Sequence, residues 1–296
     1  MTANTGRTLL FVHAHPDDET LATGVTLAQR AIDGADVHVL TCTLGDEGEV
    51  IPVELAHHLS AMDDTLGRYR RLELRAAMTA LGVVEHVLGE DVGGPGAAAY
   101  RDSGMAGTPT MQHPRALSGV PLHEVVDAIA EHLRALAPDV VVTYDPQGGY
   151  QHPDHVRVHR ATCAAVARLP RQARPALWAV VVRRSRAAAD RAWLAEHVRD
   201  DGHLSIPGPG DPYPAGVVDD ALIAWEVTGD AEALARRDAA LAEHRTQVHL
   251  GDGWYALSND IAARLPTTES YVLLDPDTGA LAPVAADQII DERRAP

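Results

Sequence analysis

The chain has 296 residues, and its 25 basic against 42 acidic side chains give a formal net charge of −17. This charge argues against nucleic acid or an anionic membrane surface as a partner, because both are bound mainly through basic faces. All 25 basic residues are arginines, which excludes Schiff-base chemistry on lysine and the lysine of a nucleotide phosphate-binding loop.

The first half of the chain alternates predicted strands and helices. Short apolar runs predict strands at 7–13, 36–42, 84–88 and 138–144, and helical spacing predicts helices at 17–31, 65–81, 121–136 and 153–168. Such alternation is typical of a parallel sheet that is covered by helices on both faces. We therefore predict an α/β fold with a Rossmann-like, mostly parallel sheet.

The second half of the chain has a less regular pattern. It predicts strands at 177–184 and 218–228 and helices at 185–199 and 230–247. We expect residues 1–170 to form a Rossmann-like, metal-binding catalytic domain, and residues 171–296 to form a smaller C-terminal α/β part that completes the substrate pocket. The Gly- and Pro-rich residues 89–120 are too many for a routine connection, which indicates a functional loop.

Cysteine content and hydropathy predict a cytoplasmic protein. Cys42 and Cys163 form no CxxC motif and are interpreted as small buried hydrophobic residues rather than a disulfide framework. The apolar stretch Leu9–Val12 is too short for a signal sequence or a membrane span.

Two clusters of histidine and aspartate follow predicted strands. His15-Pro16-Asp17-Asp18-Glu19 comes directly after the first strand, and His152-Pro153-Asp154-His155 comes shortly after the strand with the strongest pattern. Ligands of parallel α/β sheets bind beyond the carboxyl ends of the strands, so the two clusters are expected to meet in space.

The two clusters together contain the ligand types of a catalytic metal. Zinc in enzymes takes three protein ligands and leaves one position for water. His15 and Asp18 share a face at i, i+3, and the second cluster would supply a third ligand, giving a set that also fits ferrous iron. The remaining charged or polar residues of the two clusters are Asp17, His152 and Asp154. They match the other groups that metal-assisted hydrolysis needs: a base, an acid or oxyanion stabiliser, and a carboxylate that orients a histidine.

The motif pair AHPDDE and HPDH resembles the signature of the LmbE/PIG-L family of zinc-dependent N-acetylglucosamine deacetylases. The stretches GDEGEVI, RDSGMAGT, HRTQV and ALSND resemble, within that family, the N-acetylglucosaminyl-inositol deacetylases of mycothiol biosynthesis. The resemblance implies a Rossmann-like fold and one Zn²⁺ ion. It also implies hydrolysis of a small-molecule glycoside, N-acetylglucosaminyl-inositol, to glucosaminyl-inositol and acetate.

The resemblance also implies roles for single residues. The positions that match zinc ligands are His15, Asp18 and His155. The positions that match catalytic groups are Asp17 as general base, His152 as oxyanion stabiliser and proton-transfer group with Asp154 behind it, and Tyr150 as a mobile tyrosine that polarises the carbonyl or protonates the leaving amine. The positions linked to sugar and inositol recognition are Glu49, Arg70 and Asp102.

Two alternatives remain open at the level of sequence. The first is a mycothiol S-conjugate amidase, since these enzymes share the metal motifs; residues 89–120 and the C-terminal part are expected to decide between the two. The second is a non-enzymatic sugar- or nucleotide-binding module on the same fold, which predicts no bound transition metal. The oligomeric state is not predicted.

Overall fold

The structure is a computed structural model that describes residues 6–56, 64–90, 98–199, 202–282 and 291–296. Residues 91–97 of the expected functional loop therefore lie outside the described residues. Within the described ranges, no helix is both long enough and apolar enough to span a membrane.

The predicted α/β architecture is confirmed. The strands are β1 (Thr8–His13), β2 (Asp36–Thr41), β3 (Val84–Val87), β4 (Val140–Tyr144), β5 (Ala176–Arg183), β6 (Val217–Val218), β7 (Trp225–Thr228), β8 (His249–Leu250), β9 (Trp254–Ala256), β10 (Ala263–Arg264), β11 (Thr268–Leu274) and β12 (Leu281–Ala282). The helices are α1 (Asp18–Ile32), α2 (Val53–Ala56), α3 (Thr65–Leu81), α4 (Leu122–Leu136), α5 (Gly148–Gln151), α6 (Pro153–Ala167), α7 (Arg184–His197) and α8 (Ala231–Glu243).

The main sheet has the strand order β12-β11-β5-β4-β1-β2-β3, with β6 pairing with β5 and β7 with β11. The strands from β3 across to β5 pair in parallel, whereas β11 pairs antiparallel with β5, β7 and β12. The carboxyl ends of β1 and β4 are therefore side by side, and the loops that carry the two histidine clusters leave the sheet at the same edge.

Helices cover both faces of the sheet, and successive side chains of β1 pack on opposite faces. Leu10 and Val12 pack in one core with side chains of α4 and α6, whereas Leu9 and Phe11 pack in the other with side chains of α1, α3 and α8. This is the expected consequence of the two-residue period of a strand. The continuous apolar run Leu9–Val12 of β1 is thus explained by burial on both sides.

The C-terminal half shares the main sheet instead of standing apart from it. Helix α8 packs on α1 and α3, and β5 and β11 extend the sheet beyond β4. The sequence pattern missed β11 and the small antiparallel sheet β10-β9-β8. The single strand expected at 218–228 is instead two short strands, β6 and β7, separated by a 3₁₀ turn at Asp220–Leu222. The division near residue 170 remains a proposal about the organisation of the chain.

Candidate metal centre

Three side chains from the two clusters converge on one point beyond β1 and β4. The Nδ1 atom of His15 lies 3.3 Å from Oδ2 of Asp18 and 3.4 Å from Nε2 of His155. The same Nε2 atom lies 3.3 Å from Oδ2 of Asp18. Two imidazole nitrogens and a carboxylate oxygen thus form a nearly equilateral triangle, and all three residues are buried or nearly so.

The triangle has the dimensions of three corners of a zinc tetrahedron. Ligand bonds of about 2.0–2.1 Å in tetrahedral geometry place neighbouring ligand atoms about 3.4 Å apart. Histidine nitrogen and carboxylate oxygen are also zinc ligands by type. The donor set therefore fits the ion, and the fourth corner would be left for water or substrate. Two further groups of possible ligands share His15, and within each group the ligand atoms lie within 4.8 Å of one another. The first group is His15, His152 and His155; the second is His15, Asp102 and Asp154.

Neighbouring groups fix the direction of two of the candidate ligands, Asp18 and His155. The hydroxyl of Tyr144 donates to Oδ2 of Asp18 at 2.7 Å and accepts the backbone N–H of Ala14 at 2.8 Å. The Nδ1–H of His155 donates to the carbonyl of Gly148 at 3.2 Å, which leaves Nε2 for a metal. A Cβ on Gly148, whose φ is +64°, would lie 2.7 Å from the Cβ of His155, so the close approach requires glycine.

Two carboxylates orient the far side of His15. Its Nε2 atom lies 3.4 Å from Oδ1 of Asp102 and 3.3 Å from Oδ2 of Asp154. Ser103 holds Asp154 in turn, through its backbone N–H at 2.9 Å and its hydroxyl at 2.5 Å. Burial lowers the pKa of His15, but the charge of Asp102 and hydrogen bonds to carboxylates raise it well above its usual value. Such carboxylate–histidine pairs fix the tautomer and increase the basicity of a metal ligand.

Asp102→Asn is expected to weaken zinc binding by about 10- to 100-fold, because removal of a carboxylate behind a histidine ligand typically has this effect. Competition with a chromophoric chelator measures the change. The same substitution at Asp277, which is paired with Arg174 on the surface, is the control and should leave zinc affinity unchanged. Unchanged affinity in the Asp102 variant, together with a raised KM, would instead assign this residue to the sugar.

Asp17 lies between the two candidate ligands His15 and Asp18 in sequence, and its side chain makes no capping hydrogen bond to the start of α1. Its Oδ2 atom lies 3.4 Å from Nη2 of Arg70. Burial raises the pKa of Asp17 to about 6, against the opposing charge of Arg70. A carboxylate with a pKa near neutrality can both accept and release a proton, which is the property of a general base.

Arg70 is buried, and both its terminal nitrogens are hydrogen-bonded within the protein. Nη1 donates to the carbonyl of Gly45 at 2.7 Å, and Nη2 donates to the carbonyl of Pro16 at 2.5 Å. The contacts that the structure gives this side chain thus join the loop after β2 to the first histidine cluster. Its role in sugar recognition stays a prediction.

His152 caps α6 and is positioned as a neutral donor. Its Nδ1 atom accepts the backbone N–H of Asp154 at 3.2 Å, so in the neutral ring the proton is on Nε2. Burial and the neighbouring rings of His15 and His155 lower the pKa of His152 to about 3. The carboxylate of Asp154 contacts His15 and not His152; only its backbone N–H reaches His152.

Tyr150 and Glu49 lie on the exposed side of the site. The ring of Tyr150 is 48% exposed and lies edge-on to His155, with centroids 5.0 Å apart. The two residues before it and Gln151 after it have positive φ angles, so the short helix α5 is distorted into an irregular turn between β4 and α6. Glu49 is exposed in the loop after β2, and its carbonyl accepts a hydrogen bond from the side chain of Gln247 at 3.2 Å.

Sequence reasoning missed two groups at this site. From the sequence, Tyr144 is only the last residue of a predicted strand, and Ser103 is only part of the stretch RDSGMAGT. No local pattern distinguishes either one, because each acts by touching a side chain that is distant in sequence.

Comparison with known proteins places the chain in a family. The PIG-L profile, described as GlcNAc-PI de-N-acetylase, matches residues 10–166. The chain is 42% identical to a 1D-myo-inositol 2-acetamido-2-deoxy-alpha-D-glucopyranoside deacetylase of Streptomyces avermitilis, over 93% of this chain and 94% of that protein. It is 45% identical to the protein of the same name from Actinosynnema mirum, over 92% and 94%.

Solved structures share the fold at lower sequence similarity. A teicoplanin deacetylase in its zinc-inhibited form matches 90% of this chain and 99% of its own, with a TM-score of 0.52 and 20% identity. At this identity the likeness concerns the fold alone.

Proposed function

The chain belongs to the PIG-L family of GlcNAc-PI de-N-acetylases, and from this premise we propose that it hydrolyses the acetamide of N-acetylglucosaminyl-inositol. The products are glucosaminyl-inositol and acetate, and the reaction belongs to mycothiol biosynthesis. Relatives that are 42–45% identical over more than nine-tenths of the chain carry the name of this activity. The protein is accordingly a metal-dependent amide hydrolase.

One observation of the site supports this function above the others. The triangle of His15, Asp18 and His155 fits a metal with an open position, and the residue between the first two, Asp17, supplies a carboxylate with a raised pKa. A binding module would need the ligands but no carboxylate poised as a base. Hydrolysis needs both.

The ion that we assign to the triangle is Zn²⁺, and ferrous iron is a second candidate because the same ligand set accommodates it. When bound, such an ion supplies Lewis-acid chemistry, lowering the pKa of a water molecule and polarising a carbonyl group. His15, Asp18 and His155 would hold it, with Asp102 and Asp154 orienting His15. Asp17 takes the proton of the attacking water.

His152 and Tyr150 serve the acetyl carbonyl and the departing amine. The Nε2–H of His152 donates to the carbonyl oxygen as negative charge develops on it, as an oxyanion-hole donor does. Tyr150 is half-exposed on an irregular turn, which allows its hydroxyl to approach the substrate. It either supports the same oxygen or gives its proton to the amine nitrogen.

The test is an assay of the metal-loaded protein on N-acetylglucosaminyl-inositol, plain N-acetylglucosamine and a mycothiol S-conjugate. We expect the highest kcat/KM on the first substrate, and loss of activity after chelation with recovery on addition of zinc. Equal deacetylation by the metal-free protein would contradict the proposal. A higher kcat/KM on the S-conjugate would favour the amidase alternative, and purified protein without transition metal or activity would favour the binding module.

Glu49→Gln is expected to raise KM for N-acetylglucosaminyl-inositol by about 10-fold or more. A site built to hydrogen-bond a hydroxyl group loses much of its affinity for the substrate when one partner of that bond is changed. Glu49 is exposed in the loop after β2, and its backbone contacts Gln247 of the C-terminal half, so its carboxylate is free to meet a substrate hydroxyl. The effect on plain N-acetylglucosamine should be smaller. Glu54→Gln, on the next short helix, is the control and should change neither KM. Equal losses on both substrates would place Glu49 outside the inositol site.

A further inference from the structure

The histidine of the HRTQV stretch is buried against Glu19, the last residue of the first histidine cluster. His244 follows the last residue of α8, and its Nε2 atom lies 2.9 Å from Oε1 of Glu19. Both side chains have no solvent exposure. The hydroxyl of Thr20 donates to the same oxygen at 2.6 Å. The second half of the chain thus reaches the N-terminus of α1 through one buried pair.

The other oxygen of Glu19 holds the backbone of Asp17. Its Oε2 atom accepts the N–H of Asp17 at 3.0 Å. One carboxylate therefore joins a histidine of the C-terminal half to the main chain of the proposed general base.

The main chain at Asp17 needs such support because it is strained. This residue follows a proline and has φ 107° and ψ −36°, a conformation that side chains other than glycine rarely adopt. Residues held in such regions cost free energy and persist only where the surroundings determine them. Arg70 is the second restraint, since Nη2 donates to the carbonyl of Pro16 at 2.5 Å and lies 3.4 Å from the carboxylate of Asp17.

We propose that Glu19 and His244 are positioning residues that hold the carboxylate of Asp17 at the place where it acts as a base. The inference rests on the proposed function, which it deepens by assigning a task to the HRTQV stretch. A displacement of a reacting group by about 1 Å can lower the rate by about 100-fold, so a restraint one residue away has a large effect.

The metal ligands have supports that do not depend on this pair. Asp18 is held by the hydroxyl of Tyr144, and His15 by Asp102 and Asp154. Removal of the Glu19–His244 contact should therefore affect the base while the ion stays bound. This separates a positioning role from a general loss of the site.

The segment around His244 has its own anchors, so variants at this position are expected to fold. Thr246 donates through its N–H and its hydroxyl to the carboxylate of Glu73 at 2.8 and 2.7 Å. Its carbonyl accepts the N–H of Ile51 at 2.9 Å. These bonds keep the segment in place when the imidazole is replaced.

The experiment compares His244→Leu and Glu19→Leu in the full-length, zinc-loaded protein on N-acetylglucosaminyl-inositol. We expect kcat to fall by about 10- to 100-fold in each, with KM and zinc content close to those of the parent. His244→Gln keeps an N–H donor and should recover part of the loss. His38→Leu is the matched control, because His38 is also buried and paired with an acid, Asp36, but lies at the start of β2; its kcat should equal that of the parent.

The double variant tests whether the two residues act as one unit. Its kcat should be no lower than that of the less active single variant, because the losses from two groups that act as one unit do not multiply. Parental kcat in the single variants, multiplied losses in the double variant, or loss of zinc in proportion to kcat would each overturn the inference.

A second readout needs no substrate. In crystals of the His244→Leu protein, the carboxylate of Asp17 should be displaced by about 1 Å or more from its place beside Arg70. An unchanged Asp17 would overturn the inference even if the parent proved inactive on the sugar. A parent inactive on N-acetylglucosaminyl-inositol, with a displaced Asp17 in the variant, would contradict the proposed function alone.

Discussion

Asp17→Asn is expected to lower kcat by about 10²–10⁴, the usual contribution of general base catalysis, while zinc stays bound. Asparagine has the shape of aspartate but cannot accept the proton of water at neutral pH. Because it has the same size and shape as the aspartate that already adopts this backbone conformation, the main chain can keep its conformation and its bond to Glu19. Steady-state kinetics and elemental analysis of the same preparation measure the two effects.

Asp33→Asn is the matched control for this change. It makes the same substitution at the other end of α1, where Asp33 pairs with Arg30, and kcat should equal that of the parent. An Asp17→Asn protein that is purified without metal would show that Asp17 is a ligand and not the base.

Asp18→Ala is expected to lower zinc affinity by more than about 100-fold, since loss of a direct ligand exceeds the 10- to 100-fold effect of losing a group behind one. Excess zinc should restore part of the activity, because Asp17 and His152 remain in place. Chelator competition gives the affinity, and a zinc titration of kcat/KM gives the recovery.

Tyr144→Phe distinguishes the effect of losing the proposed ligand Asp18 from the effect of losing the hydroxyl group that orients it. This variant removes the hydroxyl that donates to Asp18 but leaves the carboxylate, so its loss of zinc affinity should be smaller, about 10- to 100-fold. An Asp18→Ala protein that holds zinc as tightly as the parent would contradict the proposed ligand set.

Much of the central fold was predictable because local pattern and burial agree there. β4 begins with three valines and is buried along its whole length, and α4 places Val125, Val126, Ile129 and Leu133 on one buried face. Prediction failed where pairing across the sheet decides the structure. β11 is a seven-residue strand in a stretch of mixed pattern, and it is held by antiparallel pairing with β5, β7 and β12.

The same division applies to the site. His15, Asp17 and Asp18 could be predicted as a group because one turn of chain carries all three, and the spacing of His15 and Asp18 lets both face one point. The partner of the Asp154 carboxylate could not be predicted. The family resemblance implied His152, whereas the structure places this carboxylate 3.3 Å from His15, where Ser103 holds it.

The sequence by itself determined the parallel α/β architecture and the chemical types of the candidate metal ligands, because both follow from short-range patterns: apolar runs, helical spacing, and polar residues directly after strands. Only the tertiary structure decided which carboxylate supports which histidine, and that His244 contacts Glu19 and Arg70 contacts Pro16 on either side of the strained residue Asp17. These contacts join residues 54 to 225 positions apart along the chain. Their geometry depends on how α3 and α8 pack on α1, and no local pattern of residues encodes that packing.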